Sequence, residues 1–300
     1  MRIVLLVALS LAACRPADHR SGGAASASRS VTDDAGRTVQ VPFPATRVVS
    51  LAPSLTELVF ALGGGSRLVG RTTWCKYPPA AARVPVVGDG LSPNVEAIAA
   101  RRPDLVLLYQ SPLTEAAARQ LTQLGIAALI LRHDRLSDVG RTARLLGPLV
   151  GGPAAGDSIG QIFDSIAASP PPPAQTRVVF VAWDDPPIVL GGGSYLTEVA
   201  RLGGADNVFH DLAAASATVS LETIAARDPD WVVVVDDSGG DSVRVPHSAY
   251  PPPADRPEWQ VVRAVRQRRF LVLPGALFGR PSPATPRAVA ALRRGLEAAR

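Results

Sequence analysis

Two glutamates occupy equivalent positions in two copies of one sequence pattern. The segment EAIAARRPDLV begins at Glu96 and returns as ETIAARDPDWV, which begins at Glu222, and an apolar run follows each copy. Each glutamate falls in the first turn of a predicted helix, where a carboxylate complements the positive end of the helix dipole by about 0.3–1 kcal/mol. The pattern therefore predicts two matched, negatively charged helix starts in one chain.

Aromatic side chains are scarce, at 5% of the residues, so their positions are informative. Five of them fall in loops or at predicted strand ends: Trp74, Tyr77, Tyr109, Trp183 and Phe278. Open α/β sheets bind ligands beyond the carboxyl ends of their strands, and aromatic rings hold flat apolar ligands by stacking. We predict that these five side chains line a ligand-binding cleft, with ordinary core or rim packing as the alternative for each.

Residue spacing disfavours two kinds of reactive site. A zinc or manganese site needs clustered histidines and carboxylates, but the four histidines, at positions 19, 133, 210 and 247, show no ligand spacing. A phosphate loop or a nucleophilic serine would have to use GGGS at 191–194, which fits none of the G-x-G-x-x-G, P-loop and G-x-S-x-G patterns. Cys75 has no C-x-x-C partner, and we assign it no chemistry. The residue patterns therefore disfavour both a metal site and an enzyme.

The composition is that of a globular protein. The 300 residues leave room for two domains, and the 47% hydrophobic content is ordinary for a folded chain. The net charge is only +5 and the arginines are scattered, without the basic stripe and interleaved aromatics of a nucleic-acid binder. After residue 14, no apolar stretch in the sequence has the length of a membrane-spanning helix.

The elements that must position these residues alternate between strands and helices. Short β-branched runs predict strands, and helical spacing with serine or proline start signals predicts helices. Strands are predicted over residues 47–52, 68–70, 84–87, 105–109, 127–131, 177–182, 231–235 and 270–273. Helices are predicted over 55–63, 92–102 and 114–124, from 137 onward, and over 153–168, 195–202, 221–227 and 286–299. The alternation predicts the α/β class with parallel sheets.

A weaker echo supports a two-copy arrangement. LTE at residues 55–57 returns at 196–198, and LGG at 62–64 returns at 202–204, with the register shifted by one residue. Such widely separated similarity indicates two copies of one α/β module, and two similar lobes leave a cleft between them. Glu57 and Glu198 match in this echo, and we interpret them as helix-face residues.

Composition and spacing also predict the domain boundaries. Residues 1–14 have the charged start and apolar run of an export signal. The ending Leu11-Ala12-Ala13-Cys14 resembles the bacterial lipobox, in which the cysteine is lipidated, and an ordinary cleaved signal is the alternative. The remaining segments are predicted as a flexible tether over 15–30, an N-terminal lobe over 31–148, a linking helix with a polyproline end over 149–173, and a C-terminal lobe over 174–300.

Seven motifs, taken in order, carry a family resemblance. They are VTDDAGR at 31–37, RVVSLAPSLTE at 47–57, WCKYP at 74–78, VGD at 87–89, SPNVE at 92–96, GGADNVF at 203–209 and SP at 282–283. In order and spacing they resemble the periplasmic binding proteins of ABC importers for vitamin B12, haem and ferric siderophores. The resemblance is to the vitamin B12 binders in particular and covers roughly residues 31–298.

The resemblance implies a fold, a function and a location. The fold is two Rossmann-like α/β lobes with parallel sheets, joined by a single long helix, as in class III substrate-binding proteins. The function is to capture a corrinoid, cobalamin, between the lobes and to deliver it to the permease dimer of an ABC importer, with no enzymatic activity and no resident cofactor. The protein is expected to be a periplasmic or otherwise extracytoplasmic monomer, anchored to a membrane by lipid on Cys14.

The resemblance also implies roles for individual residues. Glu96 and Glu222 correspond to exposed glutamates, one on each lobe, that dock on arginines of a two-fold transporter. Tyr77 corresponds to a cleft tyrosine of the vitamin B12 binders, and Trp74 and Tyr109 fall where the family carries aromatics. Charge contacts of this kind set orientation and association rate more than affinity.

Two departures from the corrinoid pattern keep other ligands open. Gly90 and Ser216 stand where the vitamin B12 binder has tryptophans that help to cover the corrin. A haem binder would need a tyrosine or histidine as axial ligand, and the candidates are Tyr77, Tyr109 and His133. A ferric-siderophore binder would often place arginines in the cleft, and the candidates are Arg71 and Arg280.

Overall fold

The computed structural model describes residues 27–174, 176–236, 242–246, 248 and 250–299. The predicted signal at 1–14, its lipidation site Cys14 and the tether up to residue 26 lie outside the described residues. Residues 28–30, which we expected in the tether, belong instead to a strand, because a second strand further along the chain pairs with them. Among the described helices, none is both long enough and apolar enough to cross a membrane.

The N-terminal lobe contains a hairpin and a four-stranded parallel sheet. Its elements are β1 (Ser28–Thr32), β2 (Thr38–Pro42), β3 (Val48–Ser50), α1 (Pro53–Ala61), β4 (Leu68–Arg71), α2 (Val95–Ala99), β5 (Leu105–Tyr109), α3 (Pro112–Gln123), β6 (Ala127–Leu131) and α4 (Leu136–Val150). β1 and β2 pair antiparallel, whereas the sheet has the order β4-β3-β5-β6 with every pair parallel. The predicted strands at 105–109 and 127–131 are confirmed to the residue.

The central strands of this sheet are buried on both faces. Along β5, Leu105 and Leu107 pack into the core that includes α1 and α4, while Val106 and Leu108 pack into the core on the opposite face. Alternate side chains of a strand point to opposite faces. A parallel strand covered by helices on both sides therefore reads as an unbroken apolar run, and such a run is recognisable from the sequence alone.

A pair of packed helices joins the two lobes. α5 (Pro153–Ala168) follows α4 directly and confirms the helix predicted over the same residues. Glycines let the two backbones approach closely, since a Cβ on Gly156 would lie 2.6 Å from the carbonyl oxygen of Ala143. The first turn of α4 packs through Leu136 into the core of the C-terminal lobe, whereas its last turns pack into the core of the N-terminal lobe. Both cores share this helix pair, and the predicted limits of a linking helix at 149–173 stay a prediction.

The C-terminal lobe repeats the plan and adds an antiparallel extension. Its elements are β7 (Thr176–Asp184), β8 (Pro187–Leu190), α6 (Tyr195–Gly203), β9 (Ala205–Asn207), β10 (Ser216–Thr218), α7 (Leu221–Ala226), β11 (Trp231–Asp236), α8 (Arg263–Arg266), β12 (Phe270–Pro274), α9 (Gly275–Phe278) and α10 (Thr285–Ala298). β9, β7, β11 and β12 run parallel, and β8 and β10 extend the sheet antiparallel from the far end of β7. We did not predict β8, β9 and β10, each of which has only three or four residues.

The sequence repeat is also a structural repeat. The side-chain oxygen of Asn94 accepts the Ala97 N–H at 2.9 Å and caps α2, and the hydroxyl oxygen of Ser220 accepts the Thr223 N–H at 3.2 Å and caps α7. Capping satisfies an N–H group that would otherwise lack a partner in the first turn. We expected α2 to start at Ser92, and it starts later because Asn94 is the residue that caps it.

A second contact occurs in both copies of the repeat. The carboxylate of Asp104 accepts hydrogen bonds from the N–H groups of Thr46 and Arg47 at 2.8 and 3.0 Å. The carboxylate of Asp230 accepts one from the N–H of Arg177 at 2.9 Å. Each aspartate thereby ties the segment before β5 or β11 to the start of the neighbouring strand, β3 or β7. The Pro-Asp step of the repeat therefore fixes how two parallel strands begin side by side.

The strand predicted over 84–87 is not formed. Only a single bridge connects Val86 with Arg71 at the end of β4. Pro85 has no N–H group to donate to a ladder, which restricts proline to sheet edges. Its carbonyl oxygen still accepts the Arg71 N–H at 2.9 Å, so the segment runs alongside β4 without extending the sheet.

Candidate ligand-binding site

A cavity of about 470 Å³ lies where the carboxyl ends of β3, β5 and β6 face loops of the C-terminal lobe. We call it the cleft cavity. Its N-terminal wall includes the segments that follow these three strands and the loop around Trp74 and Tyr77. The C-terminal lobe contributes Tyr195 and residues 279–281. Both lobes therefore line one cavity, at the edge of the sheet where α/β folds bind ligands.

Three of the five predicted aromatics meet at this cavity. Trp74, Tyr77 and Tyr109 all line it, and their side chains are exposed rather than packed in a core. Cys75, the neighbour of Trp74, is completely buried. Its Sγ lies 3.1 Å from the hydroxyl oxygen of Thr56 and 3.1 Å from that of Thr72. The cysteine thus acts as a structural anchor that leaves its aromatic neighbours facing the cavity.

Tyr109 is the last residue of β5, and its hydroxyl group already has a hydrogen-bond partner. The hydroxyl donates a hydrogen bond to Asp134, which follows β6. Burial, together with this hydrogen bond and the charge of Asp134, raises the pKa of Tyr109 to about 12. Tyr109 therefore stays protonated and offers a ligand its ring rather than a phenolate oxygen.

His133 also lines the cavity, in the segment after β6, with only 3% of its surface exposed. Neither ring nitrogen has a hydrogen-bond partner among the described residues. Burial lowers the pKa of His133 to about 4, because desolvation disfavours the charged imidazolium. The site therefore contains a neutral imidazole with its nitrogen atoms unengaged.

Arg280 forms the part of the wall where the two lobes meet. Its guanidinium carbon lies 5.0 Å from the centroid of the Tyr77 ring, and the guanidinium pairs with Glu57 of α1. Burial raises the pKa of Glu57, and the charge and hydrogen bond of Arg280 oppose that shift. Tyr195 donates a hydrogen bond to the carbonyl oxygen of Phe278, two residues before Arg280, so its hydroxyl is engaged within the C-terminal lobe.

Sequence reasoning missed the roles of Glu57 and Tyr195. Glu57 is not a free helix-face residue, because its partner Arg280 lies 223 positions away in the chain. Tyr195 carried a weak signal, as an aromatic residue placed directly after GGGS at the start of a predicted helix. Of the two arginines considered for a siderophore, Arg280 lines the cleft cavity, whereas Arg71 donates to backbone carbonyl groups of its own neighbourhood, including Ala81 at 2.7 Å.

Trp183 lies in a different cavity. A space of about 440 Å³ occupies the carboxyl ends of β7, β11 and β12 and is lined by Trp183, Tyr250 and the prolines at 251–253. We call it the C-terminal cavity. Trp183 is 60% exposed, and its indole N–H donates to the carbonyl oxygen of Asp185 at 2.8 Å. It is available to a ligand, but on the C-terminal lobe rather than beside Tyr77 and Tyr109.

Phe278 is a core residue. Its side chain has no exposed surface and packs with Leu271 and Ala288 in the core of the C-terminal lobe. The sequence predicted a loop before the last helix, whereas the chain forms α9 there and turns the ring inward. The prediction that Phe278 lines the cleft does not fit this placement.

The two departures from the corrinoid pattern have different structural settings. Gly90 lines the cleft cavity with a φ of +85°, and a Cβ there would lie 2.7 Å from the carbonyl oxygen of Leu51 and from Cγ2 of Thr72. No side chain fits at Gly90 without a change in the backbone. Ser216 begins the short strand β10 and is exposed.

Glu96 and Glu222 are both exposed on the first turn of their short helices. Neither carboxylate forms an ion pair with an arginine or lysine in the part of the chain that the structure describes. Backbone and Ser220 hydrogen bonds lower the pKa of Glu222. Both side chains are therefore accessible to a partner. The described residues also contain no group of three or more His, Cys, Asp or Glu side chains arranged to hold a metal ion.

Comparison with known proteins assigns the chain to a family. Residues 48–277 match the family model described as periplasmic binding protein. The chain belongs to this family. A vitamin B12-binding protein of Vibrio vulnificus (strain YJ016) is 26% identical over 246 residues, which cover 81% of this chain and 86% of that protein. The ABC transporter substrate-binding lipoprotein YvrC of Bacillus subtilis (strain 168) is 27% identical over 300 residues, covering 93% of this chain and 90% of that protein.

Solved structures of periplasmic binding proteins also match most of the chain. The periplasmic vitamin B12 binding protein BtuF of Vibrio cholerae matches at 26% identity with a TM-score of 0.67, covering 86% of this chain and 99% of that one. The periplasmic haem-binding protein BhuT, in complex with two haems, matches at 26% identity with a TM-score of 0.68, covering 84% and 98%. The match to a cobalamin binder and the match to a haem binder are equally good.

These matches confirm several predictions. The fold is the α/β class III periplasmic-binding-protein fold, and the chain is a binding protein of the vitamin B12, haem and siderophore importer family rather than an enzyme. Such a protein works outside the cytoplasm and has an importer permease as its partner. The choice among cargoes depends on the chemistry of the cleft.

Proposed function

We propose that this protein captures a corrinoid such as cobalamin in the cleft cavity and delivers it to an ABC importer. The observation that carries the proposal is the grouping of Trp74, Tyr77 and Tyr109 around one cavity lined by both lobes. Aromatic rings hold a flat macrocycle by stacking and edge contacts. The vitamin B12-binding relatives support the same cargo.

Haem is the second candidate, and the contact between Arg280 and Tyr77 favours it. A cation beside a tyrosine offsets the negative charge that a phenolate ligand to ferric iron carries. Tyr109 suits this role less well, because its hydroxyl is bonded to Asp134. His133, neutral and without a partner among the described residues, is the other candidate axial ligand, and haem would reach its buried nitrogens only if the side chain became exposed. A ferric siderophore is the third candidate and would use Arg280.

A titration with all three cargoes tests the proposal. Purified protein is mixed with cobalamin, haem or a ferric siderophore, and binding is followed by calorimetry and absorbance. We expect cobalamin to bind at micromolar concentration or tighter, and Trp74→Ala to weaken that binding. Leu113→Ala is the matched control, since Leu113 is an exposed apolar residue on α3 and lies outside the cleft cavity. Tight haem binding with no cobalamin binding at micromolar concentration would reverse the order of the candidates.

We also propose that Glu96 and Glu222 dock on the two subunits of the permease. Their exposure and their matched positions on α2 and α7 support this, because each lobe then presents the same charge to one half of a two-fold partner. Replacing both glutamates by alanine is expected to impair uptake and to leave cargo affinity intact. Glu297→Ala, an exposed glutamate on α10, is the control. Loss of cargo affinity in the double variant would refute a docking role.

Finally, we propose that the mature protein is a monomer tethered by lipid on Cys14. The lipobox-like sequence and the relative described as a lipoprotein support the anchor. Cys14→Ser should move the protein from the membrane fraction to the soluble fraction of cells. An unchanged distribution between the two fractions would instead indicate an ordinary cleaved signal. Size-exclusion chromatography with light scattering tests the monomer.

A further inference from the structure

The two glutamates of the weaker sequence echo both pair with an arginine. Glu57 is the third residue of an LTE sequence in α1, and Glu198 is the third residue of an LTE sequence in α6. Each pairs with an arginine from a distant part of the chain, Glu57 with Arg280 and Glu198 with Arg135. The repeat thus places an arginine–carboxylate contact at equivalent positions of the two lobes.

The two contacts differ in what they join. Glu198 also accepts the backbone N–H of Leu136 at 3.0 Å, and Leu136 packs in the same core as Leu196, its neighbour on α6. The Glu198–Arg135 pair therefore braces two segments that hydrophobic packing already holds together. Removing it would leave that packing in place.

Glu57 and Arg280 join segments with separate cores. The residues around Glu57 on α1, Leu55 and Leu58, pack in the core of the N-terminal lobe, whereas Phe278, just before Arg280, packs in the core of the C-terminal lobe. The pair crosses between the lobes, and its arginine lines the cleft cavity. Hydrophobic packing of one core does not hold these two segments against each other.

Burial makes the Glu57–Arg280 contact costly. The side chains of Glu57 and Arg280 are only 11% and 18% exposed, whereas Arg135 in the other pair is 46% exposed. Desolvation of a buried ion pair offsets most of its attraction, so such a pair is weak evidence for a gain in stability. One guanidinium nitrogen of Arg280, Nη2, is buried without a partner among the described residues, which adds to the cost. The contact calls for an explanation other than stability.

We propose that Glu57–Arg280 is a latch between the lobes that closes one wall of the cleft and opens when cargo enters or leaves, while Glu198–Arg135 is a permanent brace. Arg280 lines the cavity and lies over the Tyr77 ring, so opening the latch moves a cavity wall. The proposal rests on the chain being a binding protein with cargo in this cleft. It does not depend on which cargo that is.

The test compares Glu57→Gln with Glu198→Gln, which make the same chemical change in the two pairs. Amide hydrogen exchange of the cargo-free protein is measured first, so this part of the test does not need the cargo. Glu57→Gln should speed exchange by about fivefold or more in α1 and in residues 275–284, a size typical of coupling between sites. Glu198→Gln should leave those segments unchanged.

Cargo release is measured next, with cobalamin or haem as the probe, whichever the wild-type protein binds. Glu57→Gln should raise the dissociation rate constant by a similar factor, and the charge-swapped pair Glu57→Arg with Arg280→Glu should restore it. Circular dichroism verifies that each variant folds, and Arg280→Gln serves as the second single variant if Glu57→Gln does not. Equal exchange and equal release rates in both Gln variants would overturn the proposal, as would a charge swap that fails to restore release.

Discussion

The two lobes share a framework but differ at the edges that face cargo. In both, a capped short helix leads through a Pro-Asp step into a buried parallel strand, and Asp104 and Asp230 make the same backbone contact. At the carboxyl edge, the N-terminal lobe presents Trp74, Tyr77, Tyr109 and a buried histidine, whereas the C-terminal lobe presents Trp183 beside a wall of prolines. The repeat is therefore kept where it builds the fold and lost where it would contact a ligand.

This contrast has a physical basis. The framework contacts are made to backbone N–H groups, and they hold the starts of two neighbouring parallel strands side by side in each lobe. The edge residues lie in loops, which tolerate change because few buried groups depend on them. Two copies of one module therefore diverge first in the loops that meet a ligand.

The largest expected effect is a loss of stability in the C-terminal lobe, and it distinguishes a residue of the core from a residue at the edge that faces cargo. Phe278→Ala should lower the free energy of unfolding by about 3–5 kcal/mol, because it empties a fully buried aromatic site. Trp183→Ala should leave it almost unchanged, since the ring is exposed. Denaturant unfolding measures both. If Phe278→Ala instead kept its stability and lost cargo affinity, Phe278 would be a cleft residue as the sequence first suggested.

The buried histidine predicts a pH effect that arises in the N-terminal lobe. The pKa of His133 is lowered from 6.5 to about 4, so the unfolded chain binds this proton more readily than the folded protein. Above pH 6.5, His133 is neutral in both states and does not lower the free energy of unfolding. As the pH falls from 6.5 toward 4, only the unfolded chain takes up the proton, so the free energy of unfolding falls by about 3 kcal/mol in total.

His133→Leu should remove this component from the pH dependence of the unfolding free energy. His210→Gln in the C-terminal lobe, where the side chain is 60% exposed, is measured alongside it as the comparison variant. A His133→Leu profile that runs parallel to the wild-type profile between pH 4 and 6.5 would show that His133 titrates normally.

Substitutions at the cargo-facing edges of the two lobes should weaken cargo binding to different extents. Trp74→Ala is expected to weaken cobalamin affinity by about tenfold, or 1.4 kcal/mol, because the ring stands at the cavity that both lobes line. Trp183→Ala should have a smaller effect, because Trp183 lines the separate C-terminal cavity. Calorimetric titration measures both dissociation constants. Equal losses would mean that one cargo molecule spans both cavities.

The smallest expected effects on stability come from removing the helix caps that both lobes share. The loss of unfolding free energy should be the same in the two lobes. Asn94→Ala and Ser220→Ala each remove one capping hydrogen bond of similar length. Each is expected to cost about 1 kcal/mol of unfolding free energy. Thermal unfolding compares the two variants directly. A clear difference between them would mean that the two copies are not energetically equivalent.

Much of the fold could be predicted from local patterns. β5 and β6 were predicted to the residue because strands buried on both faces are unbroken apolar runs. The helix from Pro153 to Ala168 was predicted because its apolar residues have helical spacing and a polyproline stretch follows its end. The predicted strand at 84–87 is wrong because Pro85 has no N–H group to donate, so the segment makes only a single bridge to the end of β4.

The candidate site was predictable only in part. Trp74, Tyr77 and Tyr109 were found because aromatics in loops after strands point to a cleft in any α/β fold. Phe278 was misplaced because a four-residue helix has too few residues to show a period, so the sequence could not reveal which way the ring turns.

The sequence by itself determined a two-copy α/β protein with matched helix starts. Caps and apolar runs involve only neighbouring residues, and each copy of the repeat is one short continuous segment. Only the tertiary structure decided which side chains share the cleft and how the lobes are tied. Glu57 and Arg280 are 223 positions apart, and the packing of two separate cores brings them together. Contacts of that range depend on how whole elements pack, and no local pattern encodes them.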